Sequence, residues 1–248
     1  MYTTQAPLYF ILLIVFIVIG IKVFYFIIAV IGQQRYVKRL RKSKDETEIT
    51  TLENERKRLA ADIHDELGPL LSAAKLKYSE VEVFSTDDTK LLNQGHLLVD
   101  EIVSKMRHIA KDLMPTVLFY KGLVFAIREF INHIAAHNNL KIDFSPGQMD
   151  ELTEFQALHV YRILQEIIHN TLKHADAAHL KIVMYTIDKK LIISTVDDGR
   201  GFNYKTMVRQ GGGLGLYNVQ SRTDILNGEL QVKSKIGTGT NFCITIPL

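Results

Sequence analysis

Two long apolar stripes at helical spacing leave this chain few ways to fold. The first lies in an uninterrupted helical pattern from Tyr36 to about Glu82. There Ile49, Leu52, Leu59, Ile63, Leu70 and Ala73 fit the a and d positions of a heptad, with Arg56 and Glu66 as the exceptions. Ser85-Thr86-Asp87-Asp88 reads as a turn and helix start, and a second helix then carries Leu91, Leu98, Ile102, Met106, Ile109 and Leu113 on one face until Pro115 weakens it. Two helices joined by a turn cannot bury both stripes as an isolated hairpin, whereas a pair of hairpins can, as a four-helix bundle. A homodimer through residues of about 45–116 is therefore predicted.

Ahead of the first stripe, Leu8 to Ile31 is a run of 24 residues whose single charge is Lys22. As a helix it would span about 36 Å, enough for a hydrocarbon core of about 30 Å. A cleaved signal peptide would want a basic start, a shorter apolar stretch and a small-residue cleavage site, and none of these is present. The run is expected to be a membrane anchor, with Lys22 snorkelling, paired to a partner helix or taking part in sensing. Arg35, Lys38, Arg39, Arg41, Lys42 and Lys44 follow it and mark the cytoplasmic side. Only about seven residues precede the run, so no external sensor domain is expected. Residues 1–44 hold seven basic side chains and no acidic one, so the net charge of +3 leaves −4 for residues 45–248. The basic balance thus points to topology and anionic lipid, and away from nucleic acid. One cysteine, Cys243 in an apolar strand pattern, permits no intrachain disulfide.

After Gly122 the texture changes. Leu123 to Ala136 reads as a helix, Lys141 to Phe144 as a short strand and Glu151 to Lys173 as a long helix. Leu180 to Ile187 and Leu191 to Val196 are β-branched runs about Asp188-Lys189-Lys190, a hairpin. Leu214 to Leu226 reads as a helix closed by Asn227-Gly228. Leu230 to Ser234 and Phe242 to Ile246 are strands about Gly237-Thr238-Gly239. This mixture predicts an α+β sandwich, with helices on one face of a mixed sheet.

Four weak signals lie along this second half. Glu166 and Asn170 share a helix face, with Lys173 one turn on. Taken alone this is an ordinary polar face, though an amide oxygen beside a carboxylate suits Mg²⁺ bridging phosphates. Asp198-Gly199-Arg200-Gly201 directly follows a buried strand. It is either an everyday turn or a carboxylate set to accept from an exocyclic amine, with glycines that let the backbone approach a flat ring. Gly211-Gly212-Gly213-Leu214-Gly215 runs straight into a helix, where loop amides and the helix N-terminus favour an anion. Gly237-Thr238-Gly239-Thr240 could be a plain hairpin turn.

The order of these signals is specific where each is not: an Asn-bearing helix, a strand then Asp-x-Gly-x-Gly, a glycine-rich loop then helix, and a terminal Gly-x-Gly-Thr hairpin. In that order, residues of about 123–248 resemble the ATP-binding fold shared by histidine kinases, gyrase, the Hsp90 chaperone and MutL-type repair proteins. The resemblance implies Mg²⁺ on Asn170, the adenine amino group on Asp198, a lid containing Gly213 and Gly215, and Thr240 supporting the adenine-binding aspartate. Few residues separate Phe202 from Gly211, so a short lid is expected. Upstream, Glu55-Arg56-Lys57-Arg58-Leu59-Ala60-Ala61-Asp62-Ile63-His64-Asp65 resembles the phosphoacceptor block of the nitrate-sensor and desaturase-sensor type of histidine kinase. Asp112-Leu113-Met114-Pro115 with Gly122-Leu123 resembles the end of that family's second helix. The family implies ATP-dependent phosphorylation of His64, and transfer to an aspartate of a response regulator, typically one with a LuxR-type DNA-binding domain. Neutral imidazole is a competent nucleophile near pH 7, and Asp65 could hold one ring nitrogen protonated while the other attacks.

One departure has consequences. Kinases of this type usually carry glutamine five residues after the histidine, to position the water that dephosphorylates the regulator; here that residue is Pro69. The larger classical group uses Thr or Asn four residues after the histidine; here it is Gly68. Weak phosphatase activity is expected, and Pro69 predicts a helix kink just below His64. The expected organisation is a membrane anchor over 1–32, a basic helical linker over 33–50, a dimerisation and phosphotransfer domain over 51–120, and an ATP-binding domain over 121–248. Two rivals differ in class. A dimeric signalling adaptor would bind nucleotide without kinase activity, and intact Asn170, Asp198, Gly213 and Gly215 weigh against it. An ATPase clamp would need a transducer domain after the ATP fold.

Overall fold

The computed structural model describes residues 6–81, 85–209 and 213–248. They form two compact units, one ending at Thr47 and one from Glu48 to Leu248. The first unit consists of the leading part of helix α1, Ala6–Asp62. Its apolar side chains Leu12, Phe16, Ile17, Phe24, Phe26 and Ile28 are all exposed. Among the described residues no helix is long and apolar enough to cross a membrane; the side chains at 8–11, 14, 15 and 18 of the apolar run lie outside that description.

In the second unit, α1 ends at Asp62 and a single π turn, Ile63–Leu67, follows before α2, Gly68–Ser79. Pro69 explains the change. It has no N–H for the Asp65 carbonyl, and its ring would crowd that oxygen in an α-helix. A π turn re-registers the ladder, and Pro69 falls in the first turn of α2, where no N–H is needed. The distortion expected below His64 therefore takes the form of a π turn that includes His64.

Helix α3, Thr86–Leu113, begins where expected: Ser85 Oγ caps it by accepting from Asp88 N–H at 3.0 Å. It returns against α2, with Lys75 on Asp100 at 2.6 Å and Tyr78 against His96. The apolar stripes stay open in the single chain: Leu70 is 65% exposed, Leu91 69% and Leu98 60%. The first stripe is covered only at its start, where Ile49 is buried, and Glu53 and Ala60 beside the stripe are buried as well.

Helix α4, Thr116–Lys121, is a short element that the sequence pattern did not mark. Gly122, at φ +82°, turns the chain into α5, Leu123–His137. A five-stranded sheet follows in the order β1-β2-β3-β5-β4, from Lys141–Pro146, His179–Ile187, Lys190–Asp197, Glu229–Ser234 and Thr240–Pro247. β1 pairs parallel to β2 and every other pairing is antiparallel, so the sheet is mixed as predicted. Asp188 and Lys189 both take positive φ, the two-residue turn that suits the twist of the β2–β3 hairpin.

Helix α6 is Glu154–Asn170, three residues shorter at each end than the pattern implied. Thr153 and Gln156 close a capping box at its start, and Thr171–Ala175 is a second π turn at its end. Val160, Ile163, Leu164, Ile167 and Ile168 pack on Leu180, Ile182, Met184, Leu191, Ile193, Ile244 and Ile246 of the sheet, all at most 1% exposed. Each is worth roughly 1.5–3 kcal/mol of burial, which makes this seam the anchor of the domain. Cys243 lies half-buried on the opposite sheet face. Between the sheet strands, α7 is Tyr204–Arg209 and α8 is Leu214–Ile225. After α8, Asn227 takes φ +54°, and the N–H groups of Asn227 and Gly228 donate to Asp224 and Thr223 carbonyls at 3.0 and 2.9 Å. This is a Schellman cap with asparagine, rather than glycine, in the left-handed position.

Candidate active site

A cavity of about 590 Å³ opens between the end of α6, the turn after β3 and the start of α8. Glu166, Asn170, Lys173, Gly201, Gly213, Leu214, Gly215 and Thr240 all line it, so the structure gathers most of the residues singled out in sequence. Asn170 Nδ2 donates to Glu166 Oε1 at 3.3 Å, which leaves the amide oxygen as the end for a cation. A Cβ at Gly215 would overlap Glu166 Oε1 and lie 2.7 Å from Asn170 Nδ2. The pair and the helix start are therefore packed directly together. The π turn after Asn170 brings Lys173 and His174 to the wall, and Arg200 adds a second cation. Phe202, Leu216 and Phe242 supply its apolar part. Burial and the Lys173 charge lower the pKa of His169, which favours a neutral ring there.

The aspartate that lines this cavity beside Glu166 is Asp197, and the expected placement of Asp198 there is corrected. Asp197 is the last residue of β3 and is buried on the same strand face as Thr195 and Ile193. Its Oδ1 accepts from Gly199 N–H at 3.0 Å and from Thr240 N–H at 3.1 Å. Burial pushes its pKa up, and these two bonds oppose that shift. Asp198 faces away and accepts from Ala178 and His179 N–H groups, each at 2.9 Å; the His179 bond leads in holding its pKa down. The physical reason is strand alternation: adjacent residues point to opposite faces. The signal was present in the sequence, since Asp-x-Gly-x-Gly counted back from Gly199 and Gly201 falls on Asp197. Gly201 and Gly239 close the turn at positive φ, and a Cβ on Gly239 would strike the Asp197 carbonyl. Gly199 does not line the cavity but lies against Ala175.

His64 and Asp65 stand apart from the cavity. Their side chains are 82% and 78% exposed, and His64 Nδ1 lies 3.2 Å from Asp65 Oδ1. That contact leaves the far ring nitrogen open to an electrophile.

Sequence patterns missed a buried ionic cluster. Glu53 on α1 accepts from Arg162 Nε and Nη2 at 3.2 and 3.1 Å, and from Arg222 Nη2 at 2.6 Å. Arg162 also donates to the Asp112 carbonyl at 2.8 Å and to that of Leu113, at the C-terminus of α3. Burial raises the carboxyl pKa, but Arg162, Arg222 and Arg56 outweigh it and hold Glu53 below the usual range. His159, lowered to about 4 by burial and then by Arg222, is neutral near pH 7, and its Nδ1 accepts from Arg222 at 3.2 Å. The one sequence clue was an acidic residue beside the heptad seam, a position that is usually solvated.

The fold and cavity define a nucleotide-binding class, and a family model described as histidine kinase-, DNA gyrase B- and HSP90-like ATPase matches residues 155–248. A second model, described as histidine kinase, matches residues 55–118 around His64. Together the two cover more than half of the chain, and the chain belongs to the histidine kinases. It is 26% identical over 206 residues to DegS of Brevibacillus brevis, described as a signal transduction histidine-protein kinase/phosphatase; the match covers 81% of this chain and 53% of that protein. The chain thus spans about half the length of that curated relative. Among solved structures it is similar to the histidine kinase domain of the Erythrobacter litoralis blue-light activated histidine kinase, with TM-score 0.49 and 20% identity over 79% of this chain and 94% of that one. AdeS of Acinetobacter baumannii gives TM-score 0.43 and 19% identity over 74% and 97%.

Proposed function

We propose that this chain is a dimeric sensor histidine kinase that phosphorylates itself on His64 from ATP and passes the phosphoryl group to an aspartate of a response regulator. The observation that carries the reading is one cavity holding Glu166, Asn170, Lys173, Asp197 and Thr240, in a chain that also presents an exposed His64–Asp65 pair. Asp197 takes the adenine amino group, with Gly199 and Thr240 fixing its carboxylate. Lys173, Arg200 and the start of α8 face the phosphates. Bound Mg²⁺ would offset phosphate charge, and the oxygen donors of Asn170 and Glu166 suit it. Asp65 keeps the proton on His64 Nδ1, and Nε2 attacks the γ-phosphorus. An N–P bond forms as the bond to the β,γ-bridging oxygen breaks, ADP leaves with that electron pair, and Asp65 balances the imidazolium charge. Glu166 is assigned a catalytic role beside Asn170.

The open stripes of the hairpin support a homodimer through four helices, with an acceptor domain over about 51–120 and a nucleotide domain over 121–248. The run from Leu8 to Ile31, its exposed side chains, and the basic residues from Arg35 to Lys44 support a single-pass anchor with the kinase on the cytoplasmic side. A regulator with LuxR-type output is the expected partner. The test is incubation of the full chain with γ-labelled ATP. Acid-labile label is expected on the wild type and absent from His64→Gln and Asn170→Ala; label surviving in His64→Gln would sink the acceptor assignment.

Phosphatase activity toward the regulator is expected to be weak, because Gly68 and Pro69 offer no polar group where a water would be positioned. Purified chain with ADP should leave a phosphorylated regulator close to its spontaneous decay rate. Rapid dephosphorylation that persists in His64→Ala would refute this.

A further inference from the structure

The Glu53 cluster sits at one end of a seam whose other end is the nucleotide cavity. On α6, Arg162, Glu166 and Asn170 follow at four-residue steps and share a face. On α8, Gly215 and Arg222 are seven residues apart and also share one. Gly215 lies against Glu166 and Asn170, and two turns along Arg222 meets Arg162 through Glu53. Two guanidinium groups this close repel each other, and the carboxylate between them comes from the acceptor helix, eleven residues before His64 and about 16 Å along it. In this arrangement His64 is outside the cavity wall and open to solvent.

We propose that Glu53 is a positioning residue that latches α6 and α8 to the acceptor helix with the nucleotide cavity held off His64, so that phosphoryl transfer requires the latch to open. This rests on the kinase reading.

The chemistry suits a latch. Glu53, Arg162 and Arg222 are each at most 8% exposed, so their docked geometry is tightly defined by charged hydrogen bonds. Their burial also forfeits hydration, which is recovered on release, so a buried ion cluster specifies one arrangement without holding it deeply. Arg162 extends the latch to the carbonyls of Asp112 and Leu113, at the negative end of the α3 dipole and the entrance to the connector. A small shift of the α1 segment carrying Glu53 would therefore break contacts to both nucleotide-domain helices together.

The experiment uses the full chain in detergent. Glu53→Gln keeps the shape and removes the charge. Labelling of His64 at saturating ATP should rise about fivefold or more, with the affinity for a fluorescent ATP analogue within about twofold of wild type. Glu53→Asp, which retains the charge, should fall between the two, and Arg222→Gln should reproduce the faster labelling if Glu53→Gln folds poorly. Amide hydrogen exchange over 112–122 should quicken in the charge-neutral variants. An unchanged or slower labelling rate in both neutral variants, with nucleotide binding intact, overturns the latch and makes the docked state the active one. A wild type that binds no nucleotide overturns the kinase reading instead, and the latch with it.

Discussion

Asp197→Asn is expected to weaken nucleotide binding about a hundredfold or more, while Asp198→Asn keeps it within about threefold of wild type. The two carboxylates are neighbours in sequence and opposites in use. Asp197 ends β3 inside the cavity wall, buried, with Oδ1 held by Gly199 and Thr240. An asparagine there can keep those two bonds through its amide oxygen. The second arm would then be an NH₂ group, placed where the ligand's own amine needs an acceptor. A charged hydrogen bond of roughly 1.5–3 kcal/mol is lost and two donors face each other, so a loss of about a hundredfold or more follows. Asp198 caps the start of β2 from the outer side through Ala178 and His179. An asparagine oxygen can accept both bonds, and only the charge assistance is lost. Titration with a fluorescent ATP analogue and labelling of His64 measure both variants. A silent Asp197→Asn together with a dead Asp198→Asn would return the site to the neighbouring residue.

The pair shows what was legible in the sequence and what was not. Periodicity placed all five strands to within two residues at each end, because alternating β-branched runs report a half-buried sheet directly. It also separated the open stripes at Leu70 and Leu91 from the rest of the helical hairpin. The order of polar and glycine signals found the cavity, since each lies at an element boundary with its own chemistry. The choice between two adjacent aspartates needed the strand's exact end, which is where patterns are least informative. Glu53 lay further out of reach. Its partners Arg162 and Arg222 are 109 and 169 residues away, and no local rule makes an acid beside a heptad seam a buried one. The π turn at His64 falls between these cases. Pro69 announced a defect in the ladder, but only the structure shows that the chain resolves it by widening a turn.

Gly215→Ala is the sharper test of how closely the helix start is fitted to the cavity. Gly215 is the second residue of α8, a position where alanine is favoured over glycine by about 1 kcal/mol. On propensity alone the variant should be more stable. Its Cβ, however, would overlap Glu166 Oε1 and come within 2.7 and 2.9 Å of the Asn170 amide atoms. Both obstacles are the ends of side chains that can rotate, so the fold accommodates the methyl group. The groups that must turn away are those assigned to the phosphates and their cation, and a displacement of about 1 Å there is worth about a hundredfold in rate. The expected result is an unchanged or slightly raised Tm with His64 labelling down about a hundredfold. Gly213 provides the control, since its φ of −68° suits any residue and nothing lies within 4 Å of its added Cβ. Gly213→Ala should label within about threefold of wild type. Equal loss in the two variants would mean that loop flexibility, rather than the contact of Gly215 with Glu166 and Asn170, is what the glycines provide. Loss in Gly215→Ala alone would tie the start of α8 to that pair.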